Sequence, residues 1–446
     1  MASSLHHHHH LLLLLLLLQN SIALSFTPNP PKKLQPFIFP LKTQKIPAMS
    51  LPRPSPNKLL FHHNVSLVVT LTVGSPPQNV SMVLDTGSEL SWLNCKSHSD
   101  PTLKDPTFFN PSSSHTYYPF PCASPTCKTR TLDLPIRPTC AASGSCHVYL
   151  SYADASSAEG TLSSDLFSFT PSNPSKTIFG CIDSSFSSTT SDTSSIGLIG
   201  MNRGSLSLVS QMGTPKFSYC ISGRDDTGVV LLGEAELPWL LPLNYTPLVE
   251  MSLPLPYFDR VAYSVQLQGI RVAQTVLPLP KSVLVPDHTG AGQTMFDSGT
   301  QFTFLLGPVY EALKIEFLKQ TTGVLKGLGE PEFVFQGAFD TCFRVPAGVG
   351  RVGEGLPEVV LMFPGAEVAV TGERLLYRAE GEVRSGGAEW VYCMTFGNSD
   401  LVPMEAYVIG HHHQQNVWVE YDLRGGRVGF APVRCDIAGQ RLGAVV

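Results

Sequence analysis

One six-residue pattern occurs twice in this 446-residue chain, once in each half. Val83-Leu84-Asp85-Thr86-Gly87-Ser88 is echoed by Met295-Phe296-Asp297-Ser298-Gly299-Thr300. About a hundred residues after each copy, an apolar pair precedes a glycine, in Leu198-Ile199-Gly200 and in Val408-Ile409-Gly410. An internal repeat of this kind predicts two lobes of similar build, each of which contributes one carboxylate.

The residue types in each copy suit the presentation of a carboxylate. The apolar pair buries the end of a strand, and the glycine permits a tight turn with close backbone approach. Hydroxyl side chains on either side can hydrogen-bond the carboxylate or the neighbouring backbone. A single copy is typical of an ordinary Asp-led turn, but two copies indicate that Asp85 and Asp297 act as a pair. The supporting residues of the two loops are Thr86, Gly87, Ser88, Ser298, Gly299 and Thr300.

These motifs resemble those of the pepsin-like aspartic proteases, and within them the plant nepenthesin-like branch. The resemblance covers roughly residues 61–436. Four further stretches carry it: residues 197–201 (GLIGM), 217–220 (FSYC), 415–422 (QNVWVEYD) and 427–432 (RVGFAP). It implies an all-β fold with few short helices, built as two lobes with pseudo-two-fold symmetry. Asp85 and Asp297 would then meet at the floor of a cleft between the lobes.

The resemblance implies an aspartic endopeptidase that cuts peptide bonds in proteins without a cofactor or a metal. Two carboxyl groups that lie close together share a proton and titrate in separate steps. The ionised partner would act as general base on a water, and the protonated one would polarise the scissile carbonyl, so an acidic pH optimum is expected. The alternative is a non-catalytic binding protein of the same fold, such as a glycosidase inhibitor. Such proteins usually lack an element of one catalytic loop, whereas both loops are complete here.

A flap that closes over the cleft is expected at residues 149–160 (YLSYADASSAEG), which match the family's flap. This match places Tyr152 at the flap tyrosine position and aligns Trp92 with the tryptophan that hydrogen-bonds it. Plain core packing is the alternative interpretation of both residues. The family's flap usually reads Tyr-Gly-Asp-Gly, whereas Ala153 and Ala155 stand here. Because alanine disfavours positive φ, we expect a stiffer or differently shaped flap.

Ten cysteines, an even number, agree with an oxidising compartment, and buried free thiols are the alternative. Five of them lie in residues 95–147, which predicts a disulfide-tied insertion in the first lobe. Their spacings are not those of a zinc site. The resemblance implies the pairs Cys95–Cys181, Cys122–Cys146, Cys127–Cys140, Cys220–Cys435 and Cys342–Cys393. Three Asn-x-Ser/Thr sequons, at Asn64, Asn79 and Asn244, suit glycosylation in the same compartment.

The start of the chain predicts a secretory signal peptide at residues 1–25, because the leucine run 11–18 precedes the small residues of 23–25. The expected destination is the secretory pathway (extracellular space, endoplasmic reticulum or vacuole). A plastid transit peptide is the alternative, although such peptides are amphipathic rather than oligo-leucine. Residues 26–58, rich in Pro and Lys without apolar periodicity, indicate a propeptide or linker. The lobes are predicted at residues 59–236 and 237–446.

Charge is unevenly spread along the chain. Residues 1–58 hold six basic residues and no acidic one, which leaves 24 basic and 35 acidic residues, a net charge of −11, for residues 59–446. An acidic body repels phosphates, so nucleic acid is not expected as a partner. We expect a monomer whose substrate is a peptide or protein. After the leader no segment has the ~20 uninterrupted apolar residues of a membrane span, so no anchor is expected. The basic leader is a candidate for docking on the acidic cleft of a zymogen.

Three consecutive histidines, His411–His413, have the residue type of a metal site but not its geometry. Adjacent side chains diverge on a strand or turn, so we expect no metal there. Periodicity predicts strands at 65–73, 79–84 and 262–270 and a helix at 308–320. Tyr310, Leu313, Phe317 and Leu318 are expected to share one face of that helix.

Overall fold

The computed structural model describes residues 36–45, 65–96, 107–154, 156–169, 174–186, 195–223, 228–350, 352–402 and 404–444. The predicted signal peptide, residues 1–25, lies outside the described residues. Within them, no helix is long and apolar enough to cross a membrane.

Strands dominate both halves of the described chain. The first half forms β1 (Phe37–Lys45), β2 (Val65–Val73), β3 (Gln78–Asp85), β4 (Trp92–Asn94), β5 (Tyr118–Pro119), β6 (Thr139–Cys140), β7 (Cys146–Ser151), β8 (Ser157–Ser168), β9 (Ser175–Phe186), β10 (Gly197–Gly200), β11 (Lys216–Cys220) and β12 (Gly228–Leu232). The second half forms β13 (Asn244–Pro247), β14 (Ser264–Val265), β15 (Gly269–Val272), β16 (Thr275–Val276), β17 (Gln293–Asp297), β18 (Thr303–Leu305), β19 (Lys326–Gly327), β20 (Cys342–Pro346), β21 (Val359–Phe363), β22 (Ala366–Val370), β23 (Leu376–Arg384), β24 (Glu389–Met394), β25 (Phe396–Asn398), β26 (Ala406–Gly410), β27 (Val417–Asp422) and β28 (Arg427–Pro432).

Helices are few and mostly short. The α-helices are α1 (Leu208–Gln211), α2 (Gly307–Gln320) and α3 (Cys435–Arg441). Short 3-10 helices cover Pro111–Ser113, Lys281–Val283, Gly372–Arg374, Ser385–Gly387, Ser399–Leu401 and His411–Gln414, and a π-helical turn covers Thr126–Arg130. The predicted helix at 308–320 is therefore confirmed, with Pro308 in its first turn. Leu318 was wrongly assigned to its inner face, because that side chain is 38% exposed.

The strands form one large sheet that continues through both lobes and three smaller sheets in the second lobe. The large sheet has the order β13-β28-β27-β11-β12-β1-β2-β3-β10-β4-β9-β8-β7-β6, with β5 paired to β8. The smaller sheets are β14-β17-β26-β18-β25, β16-β15-β21-β22 and β19-β20-β24-β23. The molecule is thus a bilobal, mainly β protein, with one aspartate loop in the large sheet and the other in the second lobe.

The prediction of one continuous strand over 262–270 is wrong, because the chain forms two short strands there. Ser264–Val265 pairs with β17, whereas Gly269–Val272 pairs with β21 in a different sheet. Residues 266–268 carry the chain from one sheet to the other, so an alternating pattern spans two short strands. In contrast, Val65–Val73 is one strand whose odd-numbered residues are all buried, as its alternation predicts.

Strand β1 lies inside the range 26–58, for which the sequence indicated a propeptide or linker without periodicity. Phe39 and Leu41 alternate with less buried neighbours, and they are 5% and 1% exposed. Its first part, Phe37–Leu41, pairs antiparallel with β12, and its last part, Lys42–Lys45, pairs antiparallel with β2. It therefore joins the two parts of the large sheet, and the absence of periodicity was a wrong expectation for residues 37–45.

The disulfides of the insertion differ from the expected ones. Cys95–Cys181, Cys220–Cys435 and Cys342–Cys393 are formed. The remaining cysteines pair as Cys122–Cys140 and Cys127–Cys146, not as Cys122–Cys146 and Cys127–Cys140. Burial explains the exchange, because Cys127 and Cys146 both face the same apolar cluster, whereas Cys122 and Cys140 lie nearer the surface.

Candidate active site

The first aspartate loop begins where β3 ends, at Asp85. This carboxyl group is 7% exposed and accepts the amide of Gly87 on Oδ1 at 2.8 Å. The hydroxyl of Ser88 donates to its other oxygen, Oδ2. Two donors from the same tight turn therefore hold the carboxyl group in one orientation.

The second loop repeats this arrangement at the end of β17. The amide of Gly299 donates to Asp297 Oδ1 at 2.9 Å, and the Thr300 hydroxyl donates to Oδ2 at 2.5 Å. Each predicted loop residue thus has the same partner type as its counterpart in the other lobe. The repeat seen in the sequence is a repeat of hydrogen-bond geometry.

A reciprocal pair of hydrogen bonds joins the two loops across the lobes. The amide of Thr86 donates to Ser298 Oγ at 3.0 Å, and the amide of Ser298 donates to Thr86 Oγ1 at 2.9 Å. The hydroxyls pass their own protons to main-chain carbonyls of the opposite strand, Ser298 to Leu84 and Thr86 to Phe296. The middle residue of each loop therefore sets the separation of the two lobes at the site.

The downstream apolar-apolar-glycine elements support the two loops from the side. Strand β10 runs parallel to β3 with Gly200 opposite Asp85, and β26 runs parallel to β17 with Gly410 opposite Asp297. A Cβ atom on Gly410 would overlap the carbonyl oxygen of Phe302. Glycine is required at this position because the chain after the second loop passes directly over it.

The two carboxyl groups lie next to each other at the centre of this arrangement. A Cβ atom added to Gly87 would lie 3.0 Å from Asp297 Oδ1 and 3.2 Å from Asp85 Oδ1, so both carboxyl groups border the same small space. A Cβ atom added to Gly299 would lie 2.5 Å from Asp85 Oδ1. Burial, reinforced by the negative charge of Asp297, holds the pKa of Asp85 well above its ordinary value.

The predicted flap is the hairpin of β7 and β8, whose last pair is Ser151 with Ser157. The Trp92 Nε1–H group donates to the Tyr152 hydroxyl at 2.7 Å. Burial raises the pKa of Tyr152, with a smaller contribution from Asp85, so this phenol stays neutral. Both aromatic rings also pack on the apolar cluster of the first lobe, so the hydrogen bond and core packing coexist.

The turn of the flap is closed by a polar side chain. Asp154 Oδ1 accepts the amide and the hydroxyl of Ser156, at 2.9 and 2.6 Å. Ala153 is not among the residues with a positive φ, and Ala155 lies outside the described residues. The backbone at Ala153 is thus one that alanine adopts without strain.

The histidine triplet is packed into the protein behind the second loop. The ring nitrogens of His413 contact the hydroxyls of Thr303 at 2.6 Å and Thr395 at 2.7 Å. His411 lies 3.2 Å from the Val65 carbonyl oxygen. Burial lowers the pKa of His412 to about 4, so that ring is neutral above this pH. Among the described residues no cluster of His, Cys, Asp or Glu is arranged to hold a metal ion.

Glu89 is a buried acid beside the first loop, outside the residues predicted for the site. Its side chain belongs to a residue 8% exposed, and Asn202 Nδ2 lies 3.5 Å from both Glu89 Oε2 and the Gly87 carbonyl oxygen. Burial, with the negative charge of Asp259, raises the pKa of Glu89 to about 7. The signal available in the sequence was an acidic residue directly between the first loop and Leu90.

Two family models match the chain in succession. A model described as xylanase inhibitor N-terminal matches residues 67–234, and one described as xylanase inhibitor C-terminal matches residues 262–432. Together they cover most of the chain, with one model for each lobe.

Curated relatives of similar length carry proteinase names. Aspartic proteinase PCS1 of Arabidopsis thaliana is 59% identical over 411 residues, which are 91% of this chain and 89% of that protein. Aspartic proteinase nepenthesin-1 of Nepenthes gracilis is 28% identical over 82% of this chain and 78% of that protein. Among solved structures, the crystal structure of edgp has a TM-score of 0.65 at 20% identity, covering 93% of this chain and 98% of that one. At that identity the likeness concerns the fold alone.

Proposed function

The chain belongs to the plant pepsin-like aspartic proteases of the nepenthesin-like branch, and we propose that it hydrolyses peptide bonds with Asp85 and Asp297 as its catalytic pair. As an aspartic-type endopeptidase it acts on peptides or proteins. The observation that carries the assignment of residues is the contact of two carboxyl groups, each held by a matching pair of donors.

The geometry supports a mechanism with one shared proton. A buried carboxyl group and a half-buried one this close together cannot both ionise freely, and the raised pKa of Asp85 favours that residue as the holder of the proton. Asp297 then accepts a proton from a bound water as the water oxygen attacks the scissile carbonyl carbon. Asp85 donates to the carbonyl oxygen, and the pair returns a proton to the amine when the carbon–nitrogen bond breaks.

The flap supports substrate binding on the side of the first lobe. Tyr152 is anchored by Trp92 and lies close enough to Asp85 for the charge of that carboxyl group to affect its pKa. We assign these two aromatic residues to the wall of the cleft beside the catalytic pair. The lobes that form the cleft are assigned to residues 59–236 and 237–446.

The setting that fits these features is the secretory pathway. Five disulfides join all ten cysteines, and such bonds persist in oxidising compartments. Asn79 and Asn244 are exposed on β3 and β13, and so are accessible to glycosylation, whereas Asn64 lies outside the described residues. Residues 1–25 are assigned as the signal peptide, with a plastid transit peptide as the alternative. Lys42 and Lys45 of the leader lie on β1, so we assign only the other basic residues of the leader to docking on the cleft in a zymogen form.

Cleavage of an unfolded protein substrate across about pH 2.5 to 7 tests this function. The wild type is compared with Asp85→Asn, Asp297→Asn and Asp183→Asn, the last being an exposed aspartate on β9. We expect acid-peaked cleavage that both loop substitutions abolish and the control leaves unchanged. A folded wild type that cuts at no pH, or loop variants that cut normally, would contradict the assignment.

The descriptions of the two family models make xylanase binding the second function to test. The same preparation is assayed for inhibition of a xylanase. Inhibition without peptide cleavage would favour the non-catalytic alternative, against which both complete aspartate loops argue.

A further inference from the structure

A buried polar cluster lies directly behind the two aspartate loops. The Tyr219 hydroxyl donates to Gln414 Oε1 at 2.5 Å, and the Tyr421 hydroxyl lies 3.1 Å from the Tyr219 hydroxyl. None of these three residues is more than 1% exposed. Buried polar groups are costly unless they are hydrogen-bonded, so the arrangement of this cluster is tightly constrained.

The two tyrosines of the cluster come from the large sheet, and its glutamine comes from the second lobe. Tyr219 lies on β11 and Tyr421 on β27, which are adjacent antiparallel strands. Because Phe217 is opposite Tyr421 in this register, Tyr219 and Tyr421 lie diagonally on one face of the sheet. Gln414 ends the 3-10 helix that follows β26, the strand paired with the second aspartate loop.

The amide group of Gln414 reaches the second loop itself. Its Nε2 donates to the main-chain carbonyl of Asp297 at 3.3 Å and to that of Ile409 at 2.7 Å. Both amide protons and the amide oxygen of Gln414 are thereby used. The amide thus connects the catalytic strand β17, its neighbour β26 and Tyr219.

The phenols lie beside the first loop, where the Thr86 hydroxyl is close enough to lower the pKa of both Tyr219 and Tyr421 against the larger effect of burial. A phenol has one proton, and Tyr219 gives its proton to the amide oxygen of Gln414, so Tyr421 is the donor between the two phenols. This order produces one directed chain of hydrogen bonds behind the pair of carboxyl groups.

We propose that Gln414, Tyr219 and Tyr421 are positioning residues for peptide hydrolysis, which hold the main chain of Asp297 in a fixed place behind the two aspartate loops. The inference rests on the proposed function of the aspartate pair. The two stretches that supply the phenols, residues 217–220 and 415–422, stood out in the sequence without a chemical role.

Packing alone does not account for the hydroxyl groups. The Tyr421 ring stacks on Phe217 with centroids 4.6 Å apart and contacts the Tyr263 ring at 4.3 Å. Phenylalanine would preserve those ring contacts at either tyrosine position. Removal of one hydroxyl therefore separates the positioning role from the contribution of the ring to the core.

The first test is Tyr219→Phe, assayed for kcat, KM and pH dependence beside Tyr407→Phe. Tyr407 is a matched control, since its buried hydroxyl donates to the Val283 carbonyl at 2.6 Å, away from the loops. We expect kcat of Tyr219→Phe to fall by about 10- to 100-fold with KM nearly unchanged, because small misplacements of catalytic groups cost that much. Tyr407→Phe should keep the wild-type kcat at a similar loss of melting temperature.

The second test is Gln414→Glu, which has nearly the same volume and shape. A protonated glutamic acid still accepts from Tyr219 and retains one donor, whereas an ionised one has no donor and places an unpaired charge against the loop. We expect near-normal activity in the most acidic part of the profile and a decline that starts at a lower pH than in the wild type. This variant also decides the question if Tyr219→Phe does not fold.

Unchanged kcat and pH profiles in folded Tyr219→Phe and Gln414→Glu would overturn the positioning role while the function of the aspartate pair stands. Equal losses of kcat in Tyr219→Phe and Tyr407→Phe would also overturn it, because they would show a general effect of core hydroxyls. Lack of cleavage by the wild type would instead overturn the proposed function.

Discussion

Thr86 and Ser298 each donate an amide proton to the hydroxyl of the other, at 3.0 and 2.9 Å, across the two lobes. Both residues are 1% exposed. The lobes are thus joined at the middle residue of each aspartate loop, directly beside the carboxyl groups. Any change of this contact acts on the distance between Asp85 and Asp297.

Substitution Ser298→Ala is expected to lower both stability and turnover. It leaves the amide of Thr86 and the carbonyl of Leu84 without their hydroxyl partner, and each buried orphan costs about 1–3 kcal/mol. Denaturant unfolding and kcat measure the two effects. Thr70→Val on the exposed side of β2 is the control and should change neither. Wild-type kcat in Ser298→Ala would contradict a role of this contact in catalysis.

The flap hydrogen bond should be visible as energetic coupling between its partners. Trp92→Phe and Tyr152→Phe each remove the bond from Nε1 to the phenol and are expected to lower kcat/KM. The double variant should lose less than the sum of the two, with a coupling energy of about 0.5–3 kcal/mol. A double-mutant cycle in kcat/KM measures this quantity. Strict additivity would show that the two residues act only through packing.

Gly410→Ala is expected to be among the more damaging small substitutions. The new Cβ would overlap the carbonyl oxygens of Phe302 and Gln301, which belong to the chain after the second loop. Overpacking of this kind costs about 1–3 kcal/mol or more. Gly327→Ala is the matched control because its Cβ meets no atom within 4 Å and its φ is not positive. The test compares the unfolding free energies of the two variants with that of the wild type. Equal losses in Gly410→Ala and Gly327→Ala would refute the steric argument.

Glu89 should make the protein less stable as the pH rises. The folded pKa is about 7 against an ordinary value of 4.5, so the unfolded chain ionises first. The contribution of Glu89 to the free energy of unfolding is fully present below about pH 4.5. It is lost as the pH rises from about 4.5 through 7, at about 1.4 kcal/mol per pH unit.

The variant Glu89→Gln mimics the protonated form of that side chain. It should match the wild type near pH 4 and exceed it by roughly 3 kcal/mol near pH 8. Urea unfolding at both pH values measures the difference. Glu250→Gln, which removes an exposed acid paired with Arg203, is the control for the loss of one carboxyl group. A constant difference between Glu89→Gln and wild type at the two pH values would show that the carboxyl group does not titrate in this window.

Local patterns predicted the elements that depend on neighbours in sequence. The alternation of β2, the helix α2 and the two aspartate turns follow from side chains within a few residues of each other. Alternation failed over 262–270, because a change of sheet within the strand leaves the periodicity intact. Strand β1 was missed because its apolar residues stand among Pro and Lys, and its pairing partners lie far along the chain.

The repeated loop, read in the sequence, determined which two aspartates to consider and which residues flank them. Tertiary structure alone decided the partners that each group finds across long separations. It paired Cys127 with Cys146, brought Ser298 to Thr86 and set Gln414 between Asp297 and Tyr219. The physical reason is that a turn is specified by adjacent backbone and side chains, whereas burial and packing select long-range partners from many that the composition allows.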